Sequence, residues 1–80
     1  MVIGRDEYLV TTGRDLGAAL KHFRTAAGVT QTDAAEAMGI GQPYLSSLEA
    51  GTFASSLMHA LRLLRFVGCE VIVRPRRPRG

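Results

Sequence analysis

Gln31, Gln42, Tyr44, Ser46 and Ser47 are the residues of this chain best suited to act on another molecule. None is paired with a base in a nucleophile motif, and no G-x-S-x-G turn is present. What the set offers is hydrogen bonding. A glutamine amide can bond the N6/N7 edge of adenine in two places. Gln31 can reach a phosphate or brace Gln42. Tyr44 offers a ring for a thymine methyl and a hydroxyl for phosphate, or it packs at a helix surface. Ser46 can touch a phosphate or base edge, or bond back to its own chain as helical serines do. Ser47 faces outward with Tyr44. Thr52 adds a further hydroxyl. These groups, with Pro43 among them, are the candidate contact residues.

Short elements must position them. The stretch QTDAAEAMGIGQPYLSSL, residues 31–48, reads as two helices joined by a tight turn. Ala34, Ala35, Met38, Ile40, Leu45 and Leu48 are its apolar positions. Ala35 is small enough for two helices to approach closely, and Gly39 tolerates the left-handed backbone of a turn. Thr30 is a natural N-cap, and Asp33 completes a Thr-x-x-Asp arrangement. The next helix starts near Gln42, with Pro43 in its first turn, where a missing N–H matters little. It ends near Ala50, with Gly51 beyond. This is a helix-turn-helix layout, whose second helix can enter a DNA major groove.

The flanking segments complete one domain. Thr12 caps an earlier helix with Asp15 in its first turn, and Leu16, Ala19, Leu20, Phe23 and Ala27 recur at helical spacing. Gly28 stops it. Ser55 or Ser56 caps a last helix striped by Leu57, Ala60, Leu61, Leu64 and Val67, ended by Gly68. The period then alternates: Cys69, Val71 and Val73 point one way, and Glu70, Ile72 and Arg74 the other. The β-branched Val71-Ile72-Val73 favours a strand, and Pro75 and Pro78 bar its extension. A lone strand needs a partner: the N-terminal segment, where Tyr8–Thr11 can be extended, or a second copy of itself. Four parts are expected: an N-terminal segment (1–11), a helical domain (12–68), a dimerisation strand (69–75) and a basic disordered tail (76–80).

Composition narrows the class. Eighty residues with 46% apolar content make one small folded domain. A chain of this size is marginal alone, and dimerisation is a common remedy. No apolar run approaches a membrane span, and MVIGRDEYLV does not read as a signal peptide, so a cytoplasmic location is expected. Cys69 is the single cysteine and allows no internal disulfide. His22 and His59 belong to no metal pattern, so neither metal nor cofactor is expected. The net charge of +3 is uneven: Arg74, Arg76, Arg77 and Arg79 all lie in the last seven residues. The rest carries six basic residues against seven acids, a poor balance for phosphate attraction, which the tail can supply as a basic arm. The tail is otherwise a handle for an acidic partner, or simply solvated. Glu49 repels phosphate and suits a structural role, paired with Arg24 or Arg62 or bonded to loop amides.

Residues 15–67 resemble the Xre/Cro-type helix-turn-helix family of bacterial and phage repressors. Gln31, Ala35, Gly39, Ile40, Gln42, Leu45, Ser46, Leu48, Glu49 and Gly51 carry the resemblance, with IGQPYLSSLEAG at its centre. It implies a mainly α, four- to five-helix, lambda-repressor-like domain. The ending GCEVIVRP is similar to that of HipB-like antitoxins, in which a C-terminal strand pairs between protomers. That implies a homodimer joined through Cys69, Val71, Ile72 and Val73, repression of its own operon on palindromic double-stranded DNA, and a HipA-like kinase toxin as partner. Two departures stand out. Ser47 and Ala50 occupy positions where the family often has Arg or Lys, and Gly41 stands where a capping Ser is usual.

The expected function is sequence-specific DNA binding by a repressor, with no catalysis. One rival is an interaction module, a toxin neutraliser or adaptor, that has lost strong DNA binding. Another is a phage-type lysogeny regulator.

Overall fold

The computed structural model describes residue 2 and residues 6–76. Arg77 and Arg79 lie outside the described residues. The order is β1 (Tyr8–Val10), α1 (Gly13–Ala26), α2 (Gln31–Met38), α3 (Gln42–Glu49), α4 (Ser55–Phe66) and β2 (Val71–Val73).

Local chemistry explains most boundaries. Thr12 N-caps α1 in a full capping box: its hydroxyl accepts from Asp15 N–H at 3.1 Å, and Asp15 accepts from the Thr12 N–H. Thr30 caps α2 by its hydroxyl alone, accepting from Asp33 N–H at 3.1 Å; the reciprocal half of the expected Thr-x-x-Asp arrangement, from Asp33 back to the Thr30 N–H, is not made. Gly39 takes φ 68°, and Ile40 N–H then bonds the Ala35 carbonyl, which ends α2 and turns the chain. Gly41 caps α3 without a side-chain bond, and Pro43 sits in the first turn. At α4 the expected serine cap is not used. Ala54 holds the N-cap position, with no side-chain hydrogen bond, and Ser55 is already helical.

β2 finds its partner within the chain. It runs antiparallel to β1 with Tyr8 opposite Val73, Leu9 opposite Ile72 and Val10 opposite Val71. Of the two expected partners, the N-terminal segment is the one seen. The physical reason is burial: Val71 and Val73 turn inward beside Val10, which is 2% exposed. Pairing with β1 satisfies the backbone and fills the core together. Ile72 points outward as the alternation predicts, whereas Cys69 is exposed instead of sharing the inward face. Cys69 lies in the turn after α4, where its N–H bonds the Leu64 carbonyl at 2.8 Å.

The core is small. Val10, Ala19 and Leu61 are buried at its centre, with Tyr8, Leu16, Phe23, Leu57, Val71 and Val73 packed around them. Ala35 and Leu45 are buried between α2 and α3 as expected. Other expected core positions are open to solvent: Leu20, Ala27, Met38, Ala60, Leu64 and Val67 are exposed. The helical period of α4 holds, but too little protein lies opposite to cover the full stripe.

α1 lies closest to α3 along a line of glycines. A Cβ added at Gly17 would sit 2.6 Å from the Leu48 carbonyl oxygen and 2.7 Å from Gly51 N. The close approach expected at Ala35 is therefore matched by one at Gly17, a position the sequence pattern does not single out.

Candidate nucleic-acid interface

The site is built outward from one ion pair. Arg24, near the end of α1, donates from Nε to Glu49 Oε2 at 2.6 Å and from Nη2 to Glu49 Oε1 at 2.9 Å. Its Nη1 donates to the Val29 carbonyl at 2.9 Å, tying down the loop before α2. The Glu49 side chain is only 5% exposed. Of the expected partners, Arg24 is the one Glu49 takes. A two-point guanidinium–carboxylate bond sets both distance and plane, so the end of α1 is fixed against the end of α3.

Two glutamines continue the chain of bonds. Gln31, the first residue of α2, donates from Nε2 to Glu49 Oε1 at 3.2 Å. Gln42, the first residue of α3, donates from Nε2 to Gln31 Oε1 at 3.0 Å. Gln31 thus takes the bracing role, one of its two expected ones. The turn through Gly39 joins the end of α2 to the start of α3, and the Gln31–Gln42 bond links the first residues of the two helices.

The remaining candidates sit around this line. Gln42, Pro43, Tyr44, Ser46 and Thr52 are exposed, and Tyr44 keeps 57% of its surface open. Ser47 is half-buried, and its Oγ donates to the Tyr44 carbonyl at 2.7 Å. The back-bonding expected of Ser46 is made by Ser47 instead. An open groove beside the helix is lined by Tyr44, Ser47, Thr52 and Phe53 among others. α3 carries no cation, but the fold supplies one nearby. Lys21 of α1 shares a depression with Gln31 and Ser46. Sequence reading left Lys21 aside because it is ten residues from Gln31; its position off the apolar stripe of α1 was the available signal.

The other expected sites lie elsewhere. Val71, Ile72 and Val73 form β2. Arg74 and Arg76 follow it, exposed, and Arg74 Nη1 is 4.0 Å from a Glu7 carboxylate oxygen, a contact open to water. Among the described residues no cluster of His, Cys, Asp or Glu could hold a metal ion, and no helix is long and apolar enough to cross a membrane.

The electrostatics give a pH prediction. The bond from Arg24 holds the Glu49 carboxyl below its ordinary range, against the opposing effect of burial, with the Gln31 bond helping. Asp15 is also lowered, first by the Thr11 hydroxyl at 2.7 Å and then by the Thr11 N–H at 3.0 Å. A carboxyl lowered on folding contributes stability that is complete above its unfolded value and is lost as pH falls through its folded one. The urea midpoint should therefore hold level down to about pH 5, then fall below the ordinary values of roughly 4.3 for Glu and 3.9 for Asp. Asp15→Asn should flatten part of that fall. An unchanged slope in this variant would contradict the role given to Thr11.

A family model described as a helix-turn-helix domain matches residues 15–76. No curated protein matches the chain. No solved structure matches it.

Proposed function

We propose, from a chain that belongs to the helix-turn-helix domain family, that this protein is a sequence-specific DNA-binding regulator whose α3 reads bases from the major groove. The observation that carries the reading is Gln42: exposed at the N-terminus of α3, yet held by Gln31 at 3.0 Å. An exposed glutamine on an ordinary surface has no need of a brace. A base-reading one does, since a fixed amide spends less conformational entropy on binding. Tyr44, Ser46, Ser47, Thr52 and Pro43 form the surrounding contact surface. Lys21 and Gln31, with the α2 N-terminus, face phosphate. Arg74, Arg76, Arg77 and Arg79 act as a basic arm that adds the charge α3 lacks.

The regulator works as a homodimer on a palindromic operator, its two recognition helices about 34 Å apart. Two features support a second copy. Among the described residues β2 has a single neighbour, β1, which leaves its Val71–Val73 outer edge for pairing. Near it, the end of α4 exposes Leu63 and Val67 at 62% and 61%, and Phe66 at 86%. A repressor of the Xre type, paired with a HipA-like kinase toxin as an antitoxin, is the finer form of this reading. It rests on the sequence resemblance, and co-purification with a kinase-like neighbour would support it.

The rival reading is a protein-interaction module. It is favoured by the absence of any cation on α3 and by that same apolar end of α4. One experiment separates the two. Binding to a random-sequence duplex pool at low salt should enrich a palindromic motif, with a dimer in sedimentation at micromolar concentration. Failure to enrich any sequence would leave the interaction module standing. A monomer that still binds would remove the dimer alone.

A further inference from the structure

The bonds linking Arg24, Glu49, Gln31 and Gln42 have a direction, and the direction has consequences for which base is read. An ionised carboxylate only accepts hydrogen bonds, and a guanidinium only donates them. Glu49 must therefore meet Gln31 through an N–H, which is what the 3.2 Å contact from Gln31 Nε2 provides. The Gln31 amide then has its oxygen at the other end. That oxygen accepts, so Gln42 must present an N–H to it, as the 3.0 Å contact from Gln42 Nε2 does. Amide orientation is ordinarily ambiguous, because oxygen and nitrogen are nearly alike in shape. Here a charge two residues away resolves it.

Resting on the DNA-binding reading above, we infer that Glu49 is a positioning residue for base selection: it sets the polarity of the Gln42 amide so that adenine is accepted and guanine refused. One Gln42 N–H is spent on Gln31. What remains for DNA is one N–H and the amide oxygen. Adenine offers the N7 acceptor and the N6 donor, which match this pair. Guanine offers two acceptors, N7 and O6. Against guanine the Gln42 oxygen would face O6, acceptor against acceptor. Arg24 contributes indirectly, by holding Glu49 with two donors at 2.6 and 2.9 Å. Neither Arg24 nor Glu49 need touch DNA.

Two variants test this, each with a readout that a merely structural role would not move. Gln31→Ala removes the relay and leaves the Arg24–Glu49 pair in place. Glu49→Gln keeps the side-chain size but admits the reversed chain, in which Gln42 accepts from Gln31 and turns two N–H groups outward. Random-duplex selection with the unaltered protein should show adenine at one position per half-site. Both variants should lower the adenine-over-guanine ratio there about tenfold, with guanine recovering most in Glu49→Gln and other positions unchanged. Full adenine preference in both variants would overturn the inference, as would guanine preferred by the unaltered protein. A second arm uses the free protein, so that it does not depend on DNA binding. The side-chain amide protons of Gln42 in a ¹⁵N-correlated NMR spectrum should be well separated, one of them bonded, and should converge towards free-amide positions in Gln31→Ala. If no sequence is enriched, the DNA-binding reading and the base preference fail together. The amide spectrum still decides the polarity: unchanged Gln42 protons in Gln31→Ala would refute it.

Discussion

Gly17→Ala should unfold most of this protein at temperatures where the unaltered chain is stable. Helix propensity argues the other way. Alanine is preferred to glycine in a helix interior by about 1 kcal/mol, and Gly17 lies within α1, Gly13–Ala26. Packing decides the sign. The added Cβ would lie 2.6 Å from the Leu48 oxygen, 2.7 Å from the Glu49 oxygen and 2.7 Å from Gly51 N. All three are backbone atoms and cannot rotate away, so α1 and the end of α3 must move apart. Overpacking costs about 1–3 kcal/mol, and rigid backbone neighbours put this site at the upper end, leaving a net loss of about 2 kcal/mol after the propensity gain. A small domain shifts its melting temperature by roughly 4–8 °C per kcal/mol. A fall of about 10 °C or more is expected in a circular-dichroism melt. Gly39→Ala is the control. Its site has φ 68° but open space around it, so only backbone strain of about 1–2 kcal/mol applies. A rise in melting temperature for Gly17→Ala would show that α1 and α3 do not approach as described.

Gln42→Ala should act in the opposite way, leaving the fold intact and removing recognition. The side chain is exposed, and its one hydrogen bond among the described residues is with Gln31. A two-point amide–adenine contact is worth about 1–3 kcal/mol of discrimination, or roughly 5- to 150-fold in affinity at about 1.4 kcal/mol per factor of ten. Specific binding should weaken by that factor in a fluorescence-anisotropy titration, while binding to unrelated duplex DNA and the melting temperature stay the same. An equal loss on specific and unrelated DNA would assign Gln42 to phosphate instead of a base.

The sequence was most legible where structure is set locally. Thr12, Thr30 and Gly39 cap or end helices through contacts within a few residues, and their spacing announces it. The bonding of Glu49 and Gln31 was legible as a choice between partners, since several groups could reach them, and only the fold decides. The glycine contact was not legible. A helical glycine looks like a weak point in one dimension, and its use appears only when α3 is laid across it. The stripe of α4 failed differently. Its period is correct, but amphipathicity shows which side is apolar and not whether anything covers it, so Leu64 and Val67 remain open. Lys21 reached the candidate site by the same route as Gly17, through the tertiary position of α1.

The pairing of Tyr8 with Val73 encloses every helix of the domain in a single loop. The caps and turns of α1 and α2 span a few residues, whereas the clasp joins distant stretches of chain, and distant pairings form late because the intervening chain must first be ordered. The clasp is therefore expected to close after the helices it joins. Its loss would reach the interior as well, because Val10, in the middle of the core with Ala19 and Leu61, belongs to β1. A short seam between the two ends of the chain therefore guards the same interior that the helices are built around.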